Sequence, residues 1–444
     1  MGRLLNRFTF VAAVLIFGSA QVVFAESVVI KNVNVFDGES ETLFRGVSVV
    51  VVDNKIAGFG NDVISPADAT MIDGGARTLM PGLIDGHTHL SIITGPQELQ
   101  QMPWDEIGAK MGVRATDTLM RGFTAVRDLG GPVQGLKNAV DDGTVPGPRI
   151  FPSGAIISQT SGHGDFREPM DPHPFLEGGT LQMQELGYYR IVDGPAQVLA
   201  AVRENLRKGA TQVKLMGSGG VGSEFDPIDS VQFRPEEIRA ATDALADWGT
   251  YAGSHLHNDA AITRALENGV RSIDHASQMT DASMRLLKEK HAYMNPQYGW
   301  NVFVMSADFL TDAQREKAAI VIDNLDNNIA LIKKHDIEIT FNVDAFGSYE
   351  LWSNLYAAEL TERQKYFSNY QIMRQLTSVT AGLLEMSGKR NPYRGKLGVI
   401  REGALADLIL VNGNPMDDVS ILADPENNIP LIMKDGKIYK NTLH

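Results

Sequence analysis

Two histidines two residues apart close the run Met80-Pro81-Gly82-Leu83-Ile84-Asp85-Gly86-His87-Thr88-His89-Leu90. The residues before them read as a short buried strand. Side chains two apart on a strand share one face. His87 and His89 can therefore reach a single metal ion while Thr88 points away. Such a pair is a weak signal by itself, but ligand-type residues recur at the ends of later apolar runs. Lys214 lies in the run 212–216. His255 and His257 lie in Gly253-Ser254-His255-Leu256-His257, His275 in Ile273-Asp274-His275-Ala276, and Asp344 in Phe341-Asn342-Val343-Asp344. Each has a plain structural reading. Lys214 could pair with an acid or snorkel to the surface, and Asp344 could cap a helix. Those readings do not explain the joint pattern, which points to a metal site of nitrogen and oxygen ligands.

The elements that must position these residues are apolar, strand-like runs at 80–85, 123–127, 149–154, 212–216, 251–255, 271–275, 293–297 and 338–343. Helix-period stretches lie between most of them, at 196–208, 235–247, 259–268, 280–290 and 312–335. This alternation predicts an α/β fold, a closed parallel (β/α)8 TIM barrel, with an open doubly wound sheet as the alternative. In such a barrel the strand ends that carry the candidate ligands share one rim. The stretch 155–195 is rich in Gly, Pro, Ser and Asp and reads as one long irregular loop, which is usually functional in a compact domain. It holds His163, within Thr160-Ser161-Gly162-His163-Gly164-Asp165, and also Arg167 and Arg190. Tyr298 and Trp300, after the seventh strand, are candidates to line a pocket. His173, His291, His335 and His444 carry no readable signal.

Residues 27–80 read as β-structure, with Asp53-Asn54-Lys55 as a hairpin turn. The C-terminus reads alike, with short strands at 407–411 and 431–433 and a turn at Asp435-Gly436. Neither end can bury a core alone, so both are expected to form one small β-sandwich. The expected organisation is a signal peptide at 1–25, the first part of the sandwich at 26–80, the barrel at 81–393 and the rest of the sandwich at 394–444. The leader reading rests on Arg3, the apolar run 8–18 and the small-residue site Val23-Phe24-Ala25.

The chain has 444 residues and no cysteine, which excludes a disulfide framework and lipid attachment at a lipobox. Export without disulfides suits a bacterial periplasm or secretion, with no stable membrane anchor after cleavage. Loss of Arg3 and Arg7 takes the formal net charge from −14 to −16. A chain this acidic is a poor partner for nucleic acid or an anionic membrane. Whether it assembles as a homo-oligomer is left open.

The residues 81–89 together with Gly398-Val399-Ile400-Arg401-Glu402-Gly403-Ala404-Leu405-Ala406-Asp407-Leu408-Ile409-Leu410 resemble the paired terminal signatures of the amidohydrolase superfamily. The segment Val213-Lys214-Leu215-Met216-Gly217-Ser218-Gly219-Gly220 resembles the carboxylated-lysine strand of its dipeptidase-like and imidazolonepropionase-like branch. The resemblance spans about residues 27–440. It implies two divalent metal ions, zinc by preference. One is held by His87, His89 and Asp344, the other by His255 and His275, with a CO2-derived carbamate on Lys214 between them. It also implies a bridging hydroxide as nucleophile and Asp344 as the proton carrier. His163 is implied to hydrogen-bond the scissile carbonyl, and His257 lies beside the ligands. The implied substrates are small dipeptides or N-acyl amino acids, including ochratoxin-type aromatic amides. Arg167 or Arg190 is the candidate for holding the substrate carboxylate. Relatives often carry Tyr where Phe233 stands, so substrate choice does not transfer with the motif. The rival expectations are a hydrolase that opens cyclic amides or imines and an exported binding protein that has lost catalysis.

Overall fold

In the computed structural model, residues 27–304 and 310–443 are described. The expected leader and His444 lie outside the described residues. β-Branched residues dominate the first strands: β1 (Ser27–Val35), β2 (Phe44–Val52), β3 (Lys55–Gly60), β4 (Thr70–Asp73) and β5 (Thr78–Pro81). Alternation sends Val28, Ile30, Val33 and Val35 of β1, and Val47, Val49 and Val51 of β2, to one buried face. β2 and β3 turn at the expected hairpin, where Asp53 takes a φ of 52°.

The barrel follows, in β6 (Leu83–Thr88), β7 (Phe123–Asp128), β8 (Arg149–Pro152), β9 (Ile156–Ser158), β10 (Tyr189–Ile191), β11 (Val213–Met216), β12 (Ala252–Asn258), β13 (Ser272–Gln278) and β14 (Tyr293–Asn295). They pair in parallel, in the orders β6-β7-β8 and β10-β9-β11-β12-β13-β14. Strand three of the barrel is split into β8 and β9. The break falls at Gly154, whose φ of 72° suits glycine and where a Cβ would sit 2.9 Å from Asn205 Oδ1. The Thr211 amide donates to Pro152 O at 2.8 Å and joins the two arcs there.

The eighth strand, expected at 338–343, is not a regular strand. Single bridges tie Ile339 to Met294 and Ala345 to Thr88. Between them Gly86 N–H donates to Phe341 O and Asp344 N–H to His87 O. The ladder is interrupted because a side chain enters it. The buried Asp85 carboxylate accepts the amides of His87 at 3.0 Å and Val343 at 3.2 Å. The segment still closes the barrel onto β6.

Helices at Pro195–Arg207, Pro235–Trp248, Asp259–Glu267 and Asp281–Glu289 match the expected periods. The single helix expected at 312–335 is two, Asp312–Asp323 and Leu325–His335, parted at Asn324, whose side chain donates to Ser277 O. The stretch 155–195 is less irregular than expected, for it contains β9, the short helix Gln182–Leu186 and β10.

The chain then returns to the first sheet as β15 (Leu408–Val411), β16 (Leu431–Lys434) and β17 (Lys437–Asn441). β15 pairs antiparallel with β5, so strands from both termini share one hydrogen-bonded order, β17-β16-β15-β5-β1-β2-β3, with β4 beside β1. Their inward apolar residues, Leu408, Leu410, Leu431 and Met433 among them, join the core of β1 and β2. Arg149, at the start of β8, ties barrel to sheet through two bonds to Asp407 (2.7 and 3.0 Å) and one to Asp435 (2.7 Å). Among the described residues no helix is long and apolar enough to cross a membrane.

Candidate metal centre

The C-terminal ends of the barrel strands bring the predicted ligand types together. On β6, His87 Nε2 and His89 Nε2 lie 3.2 and 3.3 Å from the same Asp344 oxygen. On the facing strands the rings of His255 and His275 stand 4.2 Å apart, and His257 stacks on His275 at 5.0 Å. Two sets of ligand atoms lie within 4.8 Å of one another and could each hold a metal ion: His255, His257 and His275, and His87, His275 and Asp344. His275 belongs to both, so the two positions would be adjacent. Backbone strain accompanies this arrangement. His275, Ala276 and Asp344 take φ of 70°, 52° and 55°. Non-glycine residues in this region cost of order 1–3 kcal/mol each and persist where the surroundings hold them.

The electrostatics suit ligands. Burial, reinforced by neighbouring positive and imidazole groups, holds His87, His255 and His275 well below the ordinary histidine pKa. Burial likewise brings His257 down to about 3. These rings are neutral at pH 7, the form that binds a cation. His89 is the exception. Burial lowers its pKa, but the Asp344 carboxylate outweighs that and raises it. Its Nδ1 lies 3.2 Å from Gly130 O, which leaves Nε2 toward Asp344.

Lys214 lies two residues before Met216 on β11, opposite Gly253 of β12. Its Nζ reaches Asp274 Oδ2 at 3.1 Å and is buried. Burial pulls the lysine pKa below its ordinary value, against the attraction of Asp274. That favours a neutral amine, the form a carbamate is made from. A carbamate keeps one N–H, so the contact with Asp274 is compatible with it.

Sequence reasoning missed the layer behind these groups. Asp274 is fully buried and also accepts from Arg127 Nη2 at 2.7 Å and Asn295 at 3.1 Å. Arg127 donates in addition to Gly86 O at 2.5 Å and Ser272 Oγ at 2.7 Å, so one guanidinium ties strands one, two and six beneath the site. Gln297 lies between two imidazoles, with Nε2 3.2 Å from His87 Nδ1 and Oε1 2.9 Å from His275 Nδ1. Such contacts fix tautomer and ring plane. Asp274 and Arg127 could have been noticed only as charges inside apolar strands, and Gln297 carried no signal.

The amidohydrolase family profile matches residues 78–439, most of the chain. The chain belongs to the amidohydrolase family. It is 29% identical over 429 residues to ochratoxinase of Aspergillus niger, covering 91% of this chain and 84% of that one. A crystal structure of an amidohydrolase superimposes with a TM-score of 0.86 at 33% identity, covering 94% of this chain and all of the other. A prolidase solved with N-methylphosphonate-L-proline gives 0.85 at 32%, with the same coverage. The protein is thus a TIM-barrel amidohydrolase of the dipeptidase-like branch, a hydrolase of carbon–nitrogen amide bonds.

The remaining predicted residues of this amidohydrolase are placed as follows. His163 joins the cluster, stacked on His255 with ring centroids 4.0 Å apart. Gly220 makes room for the pair, since a Cβ there would lie 2.3 Å from His163 Cε1 and 2.6 Å from His255 Nε2. Arg167 is engaged by Asp165 through two bonds of 2.7 and 2.6 Å. Arg190 donates to the carbonyls of Gln184 and Tyr189 from its Nη1. Arg167 lines a cavity together with Thr160, Gly162 and Asp226. Tyr298 is buried in the core against Tyr366 and Phe367, with the Arg363 guanidinium 5.1 Å from its ring. Phe233 is likewise buried. Trp300 is at the site, its Nε1 donating to Asp344 O at 3.1 Å and its ring stacked on Phe346, which in turn lies edge-on to His89 at 6.3 Å. Phe346 was not anticipated. His173 organises its loop, contacting Thr160 Oγ1 at 2.7 Å and accepting the amides of Phe175 and Leu176. His335 pairs with Asp281 at the surface.

Proposed function

We propose that this amidohydrolase cleaves the amide bond of small dipeptides or N-acyl amino acids with two divalent cations, zinc by preference. The observation that carries the reading is the convergence of neutral buried imidazoles and Asp344 on one rim, above a buried lysine whose pKa is lowered. His87, His89 and Asp344 would hold one ion, His255 and His275 the other, with Lys214 as its carbamate between them. His257 lies close enough to serve as a further ligand of the second ion. Bound cations supply an activated water and polarise the scissile carbonyl.

The chain's own residues do the rest. Asp344, facing both His87 and His89, takes a proton from the attacking water and returns it to the leaving amine. His163, stacked on His255, hydrogen-bonds the carbonyl oxygen through the ring nitrogen left free. Trp300 and Phe346 form an aromatic wall beside Asp344, suited to an apolar acyl group or side chain. This agrees with the relatives, an ochratoxinase and a prolidase. The substrate carboxylate would be held by Arg167, which lines a cavity beside the His163 loop with Gly162 and Asp226. Export to a periplasm or beyond rests on the leader-like residues 1–25.

The test is elemental analysis of the purified enzyme with a screen of Xaa-Pro dipeptides, N-acyl phenylalanines and cyclic amides. About two metal ions per chain and turnover of the linear amides are expected. An active preparation free of metal, or turnover of cyclic amides alone, would overturn the reading.

A further inference from the structure

We infer that the buried pair Glu359–Arg363 is a positioning device that hooks the loop after β14 onto the helix Tyr349–Arg363. Through that loop it sets Gln297 against two candidate ligand rings and Trp300 against Asp344. The inference rests on the proposed reading of the rim as a metal centre. β14 ends at Asn295, and residues 296–299 form neither helix nor strand before the short helix Trp300–Phe303. Their backbone groups need partners from elsewhere. The helix supplies them. Glu359 Oε2 accepts the amides of Tyr298 at 2.7 Å and Gly299 at 2.6 Å. Arg363 Nη2 donates to Pro296 O at 2.9 Å. Gly299 lets the loop lie against the helix, since a Cβ there would sit 2.8 Å from Glu359 N. The loop meets the helix through its backbone and the rim through side chains. Gln297 contacts Nδ1 of His87 and of His275, and Trp300 Nε1 donates to Asp344 O.

The pair itself is fully buried, with Arg363 Nε donating to Glu359 Oε1 at 2.6 Å. Arg363 Nη1 donates to Gln375 Oε1 at 2.7 Å, and its guanidinium stands 5.1 Å from the Tyr298 ring and 4.9 Å from the Phe341 ring. Apolar residues of similar volume often replace a buried ion pair without loss of stability. They could not bond the loop. A carboxylate has two acceptor oxygens, so one takes Arg363 while the other takes both amides. A glutamine has one acceptor oxygen and would turn a donor toward either the guanidinium or the amides. The charges therefore do for the loop what packing alone would not.

The test removes both charges at once, as Glu359→Leu with Arg363→Met, so that no lone charge is left buried. The full chain is compared with wild type, Gln297→Ala and the triple variant, each metal-free and with zinc. The pair variant should keep the wild-type circular dichroism. Its backbone hydrogen exchange over 296–303 should be at least about tenfold faster, as in a loop released to open locally. The emission of Trp300, isolated by subtracting Trp300→Phe in each background, should shift to the red. Zinc affinity, read by competition with a chromophoric chelator, should fall about 10- to 100-fold in the pair variant and in Gln297→Ala. The triple variant should bind zinc no more weakly than the pair variant. Unchanged exchange and Trp300 emission in a folded pair variant would overturn the inference, as would additive losses in the triple variant. No zinc binding by wild type would overturn the metal reading itself. Exchange and emission of the metal-free chains would still decide whether the pair sets the loop. Should the pair variant fail to fold, Glu359→Asp keeps the charge beside Arg363 but shortens its reach to the two amides. It should show the same faster exchange and red shift, and wild-type values there would count against the inference.

Discussion

Gly220→Ala is the smallest perturbation that reaches the site. A Cβ at this position would sit 2.3 Å from His163 Cε1, 2.6 Å from His163 Nδ1 and 2.6 Å from His255 Nε2. Ordinary contacts between heavy atoms are about 3.5–4.0 Å, so at least one ring must move by roughly 1 Å or more. Neither moves freely. His163 is held at Nδ1 by Ser223 and Asp226, and His255 packs against His257 and His275. Overpacking of this kind costs about 1–3 kcal/mol, too little to unfold the chain. A displacement of about 1 Å at reacting groups costs on the order of 10²-fold in rate. The expected result is a folded protein with kcat/KM for a linear amide lowered about 100-fold. The circular dichroism should match wild type, and the metal content should fall if His255 is the ring that moves. A variant within threefold of wild type, with full metal content, would refute the claim that His163 and His255 work from the stacked positions seen here.

Lys214→Ala should lose most metal and activity, with partial rescue by short carboxylic acids and bicarbonate. A wild-type-like Lys214→Arg would remove the carbamate, since arginine cannot form it. Asp344→Asn should fold and lose roughly 10²–10⁴-fold in kcat, and turnover within a few-fold of wild type would take Asp344 out of the mechanism. Phe346→Ala should raise KM for aromatic acyl substrates about tenfold while leaving small aliphatic ones within twofold, and equal effects on both would deny the aromatic wall. Acid should loosen the tie between barrel and sheet. Burial raises the pKa of Asp435, but the Arg149 guanidinium outweighs it and holds the carboxyl below its ordinary value. A group depressed in the fold stabilises above the unfolded pKa of about 3.9 and loses that contribution as pH falls below it. The urea midpoint of wild type should therefore fall more steeply between pH 5 and pH 3 than that of Asp435→Asn, and parallel curves would refute the point.

The barrel and the ligand types were legible because each is a local signal. An apolar run sets a strand, and His87, His89, Lys214, His255, His275 and Asp344 stand at or near the ends of such runs. The eighth strand was the exception, and its cause is a side chain rather than the backbone. Asp85 lies within the first motif, yet nothing in its spacing says that it will replace ladder bonds between strands one and eight. Burial drives its pKa up to about 7 despite three hydrogen bonds that oppose the shift.

Contacts across the barrel were illegible for the same reason. Arg127, Asp274 and Gln297 matter through partners dozens to hundreds of residues away, with Asp274 meeting Arg127 across 147 positions and Gln297 meeting His87 across 210. Asp274 illustrates what that hides. As the neighbour of a ligand in sequence, it looked like part of the strand. In the fold it is the acid that receives Lys214, and with Arg127 it forms a charged floor under the rim. A floor of fixed charge explains how one lysine can sit in an apolar strand, since Asp274 receives its Nζ at the level of His255, its partner on β12. The candidate ligands are thus ordinary strand-end residues brought together over a buried layer that a single sequence does not display.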